Sequence, residues 1–290
     1  MKKNIELYLV LFSCFAIIAS FYLLLQENLT SQQERVIFFD VGQGDAQLLQ
    51  SGRVLILQDA GPNNKTADSL AKVLRGPVRE LAVVLVTHPE ADHIGGLPQV
   101  LRTFSVRAIL IPKEFMHSTS AAWQESLGLA SERNIPVVGV VRGSEVRAPG
   151  LQLQVLWPIA GCVAQNPTNE CALVTKVRLG GVDYLFTGDI GIRAERMLLA
   201  ISPSSQLSAQ ILKIPHHGSK NSILPQFFRV ISPVLSVVQA GANNSYGHAD
   251  PQILERLGAY TKYLWSTAQK GGVEVSALNG GKQLKIISWE

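Results

Sequence analysis

The chain has 290 residues, of which 47% are hydrophobic and 17% charged, enough to bury one large core or two small ones. It carries no repeat of about 20–50 residues and no low-complexity tract, which excludes a solenoid or a compositionally biased chain. The formal charge of +4 is mildly basic; it suits a polyanionic partner or an anionic membrane surface without selecting either.

At the amino end, Met1-Lys2-Lys3 precedes an uncharged apolar run from Leu7 to Leu25. At helical rise this run approaches the thickness of a bilayer core and exceeds a usual signal-peptide core. The expected organisation is residues 1–6 in the cytoplasm, 7–25 as one transmembrane signal anchor, 26–34 as a polar linker and 35–290 as the folded domain. The lysines place that domain on the extracytoplasmic side of a cytoplasmic (inner) membrane. Cleavage at Ala19-Ser20, a poor site, gives the same compartment without the anchor.

From there the chain alternates. Strands are expected at Arg35–Phe39, Ala46–Gln50 and Val54–Leu57, and an amphipathic helix at Thr66–Arg75. An apolar, β-branched strand follows at Leu81–Val86, then helix Pro98–Phe104, strand Ala108–Ile111, helix Ala121–Arg133 and strand Pro136–Val140. This is a layered α/β pattern. After Leu151 it becomes mostly β: Leu151–Leu156, Ala172–Leu179 and Val182–Phe186, the last two joined at Gly180-Gly181. Helix Arg193–Ala200, strand Ala209–Ile214, helix Ile223–Val230, strand Val234–Val238 and helix Pro251–Tyr260 come next. Short strands at Lys262–Trp265, Val273–Ala277 and Leu284–Ser288 close the chain.

Polar residues gather where these strands end. Thr87-His88-Pro89-Glu90-Ala91-Asp92-His93 places two imidazoles and two carboxylates just beyond an apolar strand. Strand ends in α/β proteins carry functional residues, and these donor types suit borderline divalent metals. A polar loop capping a helix that starts near Ile94 explains one Asp or one His, not the cluster. Of the six histidines, His88, His93, His216, His217 and His248 all follow expected strands; His117 reads as ordinary surface. Asp189, after Gly188, holds the same kind of position. A bound divalent ion lowers the pKa of its water and polarises an ester oxygen, and a carboxylate such as Asp189 can bridge two ions. Asp40-Val41-Gly42-Gln43-Gly44-Asp45 reads as a tight hairpin turn; its functional reading sets Asp40, Gln43 and Asp45 beneath the metal. Asp59 either caps a turn or supports a ligand.

His-x-x-x-Asp-His-x-Gly-Gly, a strand ending Gly-Asp, and His-His-Gly-Ser together resemble the metallo-β-lactamase-fold hydrolases. The Asp-Val-Gly-Gln-Gly-Asp turn, Pro-His-His-Gly-Ser and Tyr-Gly-His are similar to the extracellular hydrolase domain of ComEC-type DNA-uptake competence proteins. The resemblance covers residues 35 to about 285 and does not reach the channel of those proteins, so it implies no transport. It implies a four-layer αββα sandwich, one or two divalent ions (Zn2+ or Mn2+), and action on DNA phosphodiesters. Carried over, His88 is the first metal ligand, Asp92 and His93 serve the second metal with Asp92 also catalytic, Asp189 bridges, and His216 is the late ligand. His217 and His248 line the site as phosphate binders or proton donors. Glu90 stands where the broader family has a second His, as a weak ligand or a supporting group. The family's His before the Gly-Asp strand is missing, with Asn166 and Asn169 nearest its slot.

The expectation is therefore a membrane-anchored metal-dependent phosphodiesterase with a nucleic-acid substrate. Two alternatives stand beside it: a hydrolase of lactones, β-lactams or nucleotides on the same fold, and a metal-poor protein that binds nucleic acid or cell-wall material. Cys162 and Cys171 bracket a short loop, and an oxidising compartment invites a disulfide there; two reduced thiols are the alternative.

Overall fold

The computed structural model describes residues 33–74, 80–162, 168–220 and 222–289, with Phe12 and Phe15. The expected anchor, apart from those two phenylalanines, and Asn166 lie outside the described residues. Among the described residues no helix is long and apolar enough to cross a membrane.

Successive side chains point to opposite faces of a strand, so consecutive apolar residues in the central strands, such as Leu48-Leu49 and Ile56-Leu57, give those strands two buried faces. In chain order the strands are β1 (Glu34–Phe38), β2 (Gln47–Ser51), β3 (Val54–Gln58), β4 (Glu80–Leu81), β5 (Val83–Leu85), β6 (Ser105–Val106), β7 (Ile109–Pro112) and β8 (Val137–Val140). Then come β9 (Glu145–Ala148), β10 (Leu151–Trp157), β11 (Val174–Leu179), β12 (Val182–Phe186), β13 (Ile211–Lys213), β14 (Leu235–Val238), β15 (Tyr263–Ser266), β16 (Gly272–Leu278) and β17 (Gln283–Trp289). They form an eight-stranded sheet in the order β17-β16-β1-β2-β3-β5-β7-β8, and a seven-stranded sheet in the order β15-β14-β13-β12-β11-β10-β9.

Phe38, Leu49, Ile56 and Leu85 of the first sheet pack with Tyr184 and Phe186 of the second. The opposite faces, Leu48 and Leu57 in one sheet and Leu185 and Leu212 in the other, pack against helices. Leu97 and Val100 come from helix Leu97–Thr103, and Trp123 from helix Ala121–Glu132. On the far side Leu198 comes from helix Ile192–Ile201, and Phe227 from helix Pro225–Ile231. The layers are helix, sheet, sheet, helix: the expected αββα sandwich. Each fully buried aliphatic or aromatic side chain contributes roughly 1.5–3 kcal/mol.

Both sheets have parallel halves. β3, β5, β7 and β8 run parallel in the first, and β12, β13, β14 and β15 in the second. Parallel strands align their carboxyl ends, and the loops that carry Asp59, His88 to His93, Asp189 and His216-His217 leave from those ends.

Two elements differ from the sequence reading. The run from Leu81 is divided: β4 pairs with β6 in a two-stranded sheet, and only Val83–Leu85 enters the main sheet. β9 is an edge strand with no buried residue, and its Glu145 and Arg147 pair with each other in solvent. Its apolar face is only Val146 and Ala148, both partly buried, too short a signal to reveal it.

Candidate metal centre

The centre begins with a buried polar layer. Asp59 follows β3 with φ of 56°, a left-handed conformation that turns its carboxylate under the next loop. Oδ1 accepts the Thr87 backbone N–H at 2.8 Å. Oδ2 accepts the Thr87 hydroxyl at 2.7 Å and His93 Nδ1 at 2.8 Å. Having donated to Asp59, the Thr87 hydroxyl accepts from His88 Nδ1 at 3.0 Å. Both rings therefore carry their proton on Nδ1, and each turns a basic Nε2 toward the site. Short helix Ala91–Ile94 brings Asp92 and His93. It packs so closely on the β1–β2 loop that a Cβ on Gly44 would lie 2.1 Å from the Asp92 carbonyl oxygen.

The second sheet supplies the other half. Asp189 follows β12, and His216 and His217 follow β13 in consecutive left-handed conformations, φ 48° and 52°. That backbone sends the two rings in different directions. His217 Nδ1 donates to the Gln239 carbonyl at 2.8 Å, which leaves its Nε2 basic. This Nε2 lies 3.1 Å from Asp189 Oδ2 and 3.2 Å from Asp92 Oδ2. His93 Nε2 lies 3.3 Å from the same Asp189 Oδ2.

Two basic nitrogens thus face two carboxylates without a hydrogen between them, an arrangement that repels unless a cation or added protons intervene. Without a metal, protons take that role. Burial opposes charge on His93 and His217, but Asp189 with Asp59 for the one, and with Asp45 for the other, holds both imidazoles well above their usual range. Burial likewise opposes ionisation of Asp189, and the surrounding His217, His93 and Lys213 hold it well below the carboxylate range.

The donor set fits a metal. One ligand atom each from Asp92, His93, Asp189 and His217 lies within 4.8 Å of the others. Two imidazole nitrogens with two carboxylate oxygens suit zinc, and also manganese. Nε2 of His93 and of His217 is buried without a hydrogen-bond partner, a deficit that an ion at this point removes; His88 Nε2 also lacks such a partner but stands outside the four-donor set. Among the described residues the other such group is Asp45, Asp59 and His93. There His93 donates to Asp59, and the charge of Asp45 is met by the Lys213 ammonium rather than by a hydrogen bond.

The structure therefore exchanges two roles. His216 is the expected late ligand, but His217 stands there; His216 Nε2 faces Asn169 Nδ2 at 3.4 Å instead. His217 is correspondingly a ligand candidate rather than a site-lining proton donor. His248 does line the opening, 5.4 Å between ring centroids from His216 and 6.2 Å from His217. Burial lowers the pKa of both His216 and His248, so these rings are neutral at pH 7. Glu90 Oε2 lies 3.7 Å from His88 Nε2, beside the four-donor set. Asp45 reaches the site, beside Lys213 and His217; Gln43 Oε1 instead accepts the Gly241 N–H at 3.2 Å, in the loop after β14. Asp40 does not: it is exposed and accepts only from its own turn, at Gly42 N. His117 is exposed.

Lys213 escaped the sequence reading. Its ammonium is fully buried and contacts Asp45 Oδ2, Asp189 Oδ1 and the Gly188 carbonyl. The available signal was a lysine inside an otherwise apolar strand just before Pro-His-His, since buried lysines occur only when paired.

Two outer supports yield predictions. Glu195, fully buried, accepts the Ile223 and Leu224 N–H groups at 2.5 and 2.6 Å and holds the loop behind His217. Burial pushes its carboxyl up to about 7, against the pull of those two donors. A raised carboxyl pKa stabilises the fold most below its unfolded value and loses that stability as pH rises through 7. Glu195→Gln should be less stable than the parent at pH 5 by about 1–3 kcal/mol, with the gap narrowing by pH 8 in denaturant titrations. Cys162 and Cys171 form a disulfide with Cα atoms 6.0 Å apart. Closing so short a loop is worth roughly 2–3 kcal/mol. Because Asn169 within it touches His216, reduction should lower the melting temperature and also reduce turnover.

Residues 39–241 match the family described as the metallo-beta-lactamase superfamily. The chain belongs to that superfamily, as its two packed sheets and strand-end donor set already indicate. It is 29% identical over 273 residues to ComE operon protein 3 of Bacillus subtilis, covering 88% of this chain and 34% of that protein. It is 24% identical over 266 residues to competence protein ComA of Neisseria gonorrhoeae, covering 91% and 35%. The chain thus spans about a third of the length of these curated relatives. Among solved structures, YhfI from Bacillus subtilis superposes with a TM-score of 0.56 at 11% identity, covering 83% of this chain and 99% of that one. Igni18, a metallo hydrolase from Ignicoccus hospitalis, does so at 0.53 and 14%, covering 88% and 100%.

Proposed function

We propose that this protein is a metal-dependent phosphodiesterase acting on DNA outside the cytoplasmic membrane, to which Leu7–Leu25 anchors it. The observation that carries the hydrolase reading is the convergence of two basic Nε2 atoms and two carboxylates, from both sheets, on one buried point. The competence names of the relatives that match most of this chain support DNA as the substrate. The Cys162–Cys171 disulfide supports an oxidising compartment.

Asp92, His93, Asp189 and His217 would hold the ion, while Asp59 and the Gln239 carbonyl fix the two rings. A bound divalent ion polarises the ester it faces and offsets the charge that develops there. His216 and His248, neutral and at the opening, direct N–H groups to the non-bridging phosphate oxygens. Asn169 steadies His216.

The test strips the protein with a chelator and restores Mn2+ or Zn2+ against labelled single- and double-stranded DNA, with a chromogenic β-lactam in parallel. Metal-restored DNA cleavage is expected. β-Lactam turnover without DNA cleavage would assign a small-molecule hydrolase, and DNA retention without turnover a binding protein.

A further inference from the structure

We propose that the centre takes one divalent ion, not two, because the buried ammonium of Lys213 occupies the position from which Asp189 would serve a second. The inference rests on the metal-dependent reading above and deepens it.

A carboxylate that bridges two cations offers an oxygen lone pair to each. Asp189 divides its oxygens differently. Oδ2 faces His93 Nε2 at 3.3 Å and His217 Nε2 at 3.1 Å, the point where the four donors meet. Oδ1 faces Lys213 Nζ at 3.4 Å. The same ammonium pairs with Asp45 Oδ2 and donates to the Gly188 carbonyl at 3.0 Å. Both buried carboxylates on this side are thereby committed to a charge the chain itself supplies.

The remaining donors are too few for a second ion. Outside the four-donor set, His88 offers Nε2 and Glu90 a half-exposed carboxylate 3.7 Å away. His216 is directed to Asn169 instead. Among the described residues no group of three or more metal-binding side chains includes His88 or Glu90. A second dication would also meet the ammonium inside a buried pocket, where repulsion between like charges is weakly screened. Lys213 is fixed there by its strand: β13 lies between β12 and β14, and its carbonyl accepts the Thr187 hydroxyl at 2.7 Å. It is a positioning residue that sets how many ions the carboxylates can serve.

The full chain, stripped of metal, is titrated with Mn2+ and followed by calorimetry and electron paramagnetic resonance. One equivalent and the hyperfine-split signal of an isolated ion are expected. Two equivalents, or the broadened signal of a coupled pair, overturn the inference and leave the metal-dependent reading intact. No bound metal overturns both. Lys213→Ala, checked for folding by circular dichroism, should take up a second equivalent, because Asp45 and Asp189 lose their counter-charge. A folded Lys213→Ala protein that still binds one equivalent with unchanged affinity overturns the role of the ammonium. If that variant does not fold, the wild-type count decides alone.

Discussion

Asp189→Ala should lose its bound metal and at least about a hundredfold of hydrolytic activity, more than changes to supporting groups cause. Asp189 alone faces both ligand histidines through one oxygen and Lys213 through the other. The bland explanation of a Gly-Asp before a helix is capping. Here helix Ile192–Ile201 starts after Gly191, and its first turn is capped by Glu170 Oε2, which accepts the Ala194 N–H at 2.7 Å, not by Asp189. Losing the carboxylate therefore removes chemistry rather than a helix terminus. Metal analysis and turnover of the folded variant check this. A variant with full metal content and full activity would remove Asp189 from the centre.

The second large effect separates two adjacent histidines. His217→Ala should lower metal affinity more than about a hundredfold, whereas His216→Ala should change it less than about tenfold. His217 points Nε2 at Asp92 and Asp189 and is held from behind by the Gln239 carbonyl. His216 stands beside Asn169 and the His248 ring. Its loss should appear in turnover of DNA rather than in metal retention. Competition with a chromophoric chelator measures both affinities. The reverse ranking would return the late-ligand role to His216.

This pair marks where sequence reasoning reaches its limit. The layers were legible, because the consecutive apolar residues Leu48-Leu49 and Ile56-Leu57 fall on opposite faces of a strand and so call for packing on both. So was the clustering of His88, Asp92, His93 and Asp189, since strand ends deliver side chains to one edge. Which of two consecutive histidines turns inward depends on left-handed backbone at both residues, and two adjacent letters do not carry that. Asp40 and Asp45 look alike in the Asp-Val-Gly-Gln-Gly-Asp turn, yet one is exposed and one fully buried. Their difference comes from Lys213, about 170 residues away along the chain. A buried ion pair between distant segments leaves no periodic trace. β9 was missed for the opposite reason: its apolar side is only Val146 and Ala148, too short for the strand period to show.

Asp92 and His93 hang from the first sheet, Asp189 and His217 from the second, and the backbone N–H of Leu173 reaches the Thr87 carbonyl across the same seam. An ion at their meeting point is a clasp between two halves of the domain. Its grip is sensitive to any slip of one sheet over the other. Phe38 and Phe186, with ring centroids 5.8 Å apart across the interior, help set that alignment. Phe186 lies three residues before Asp189 on the same strand and turn. The greasy interior is thus part of the calibration of the centre, and a change there reaches the ion without touching a ligand.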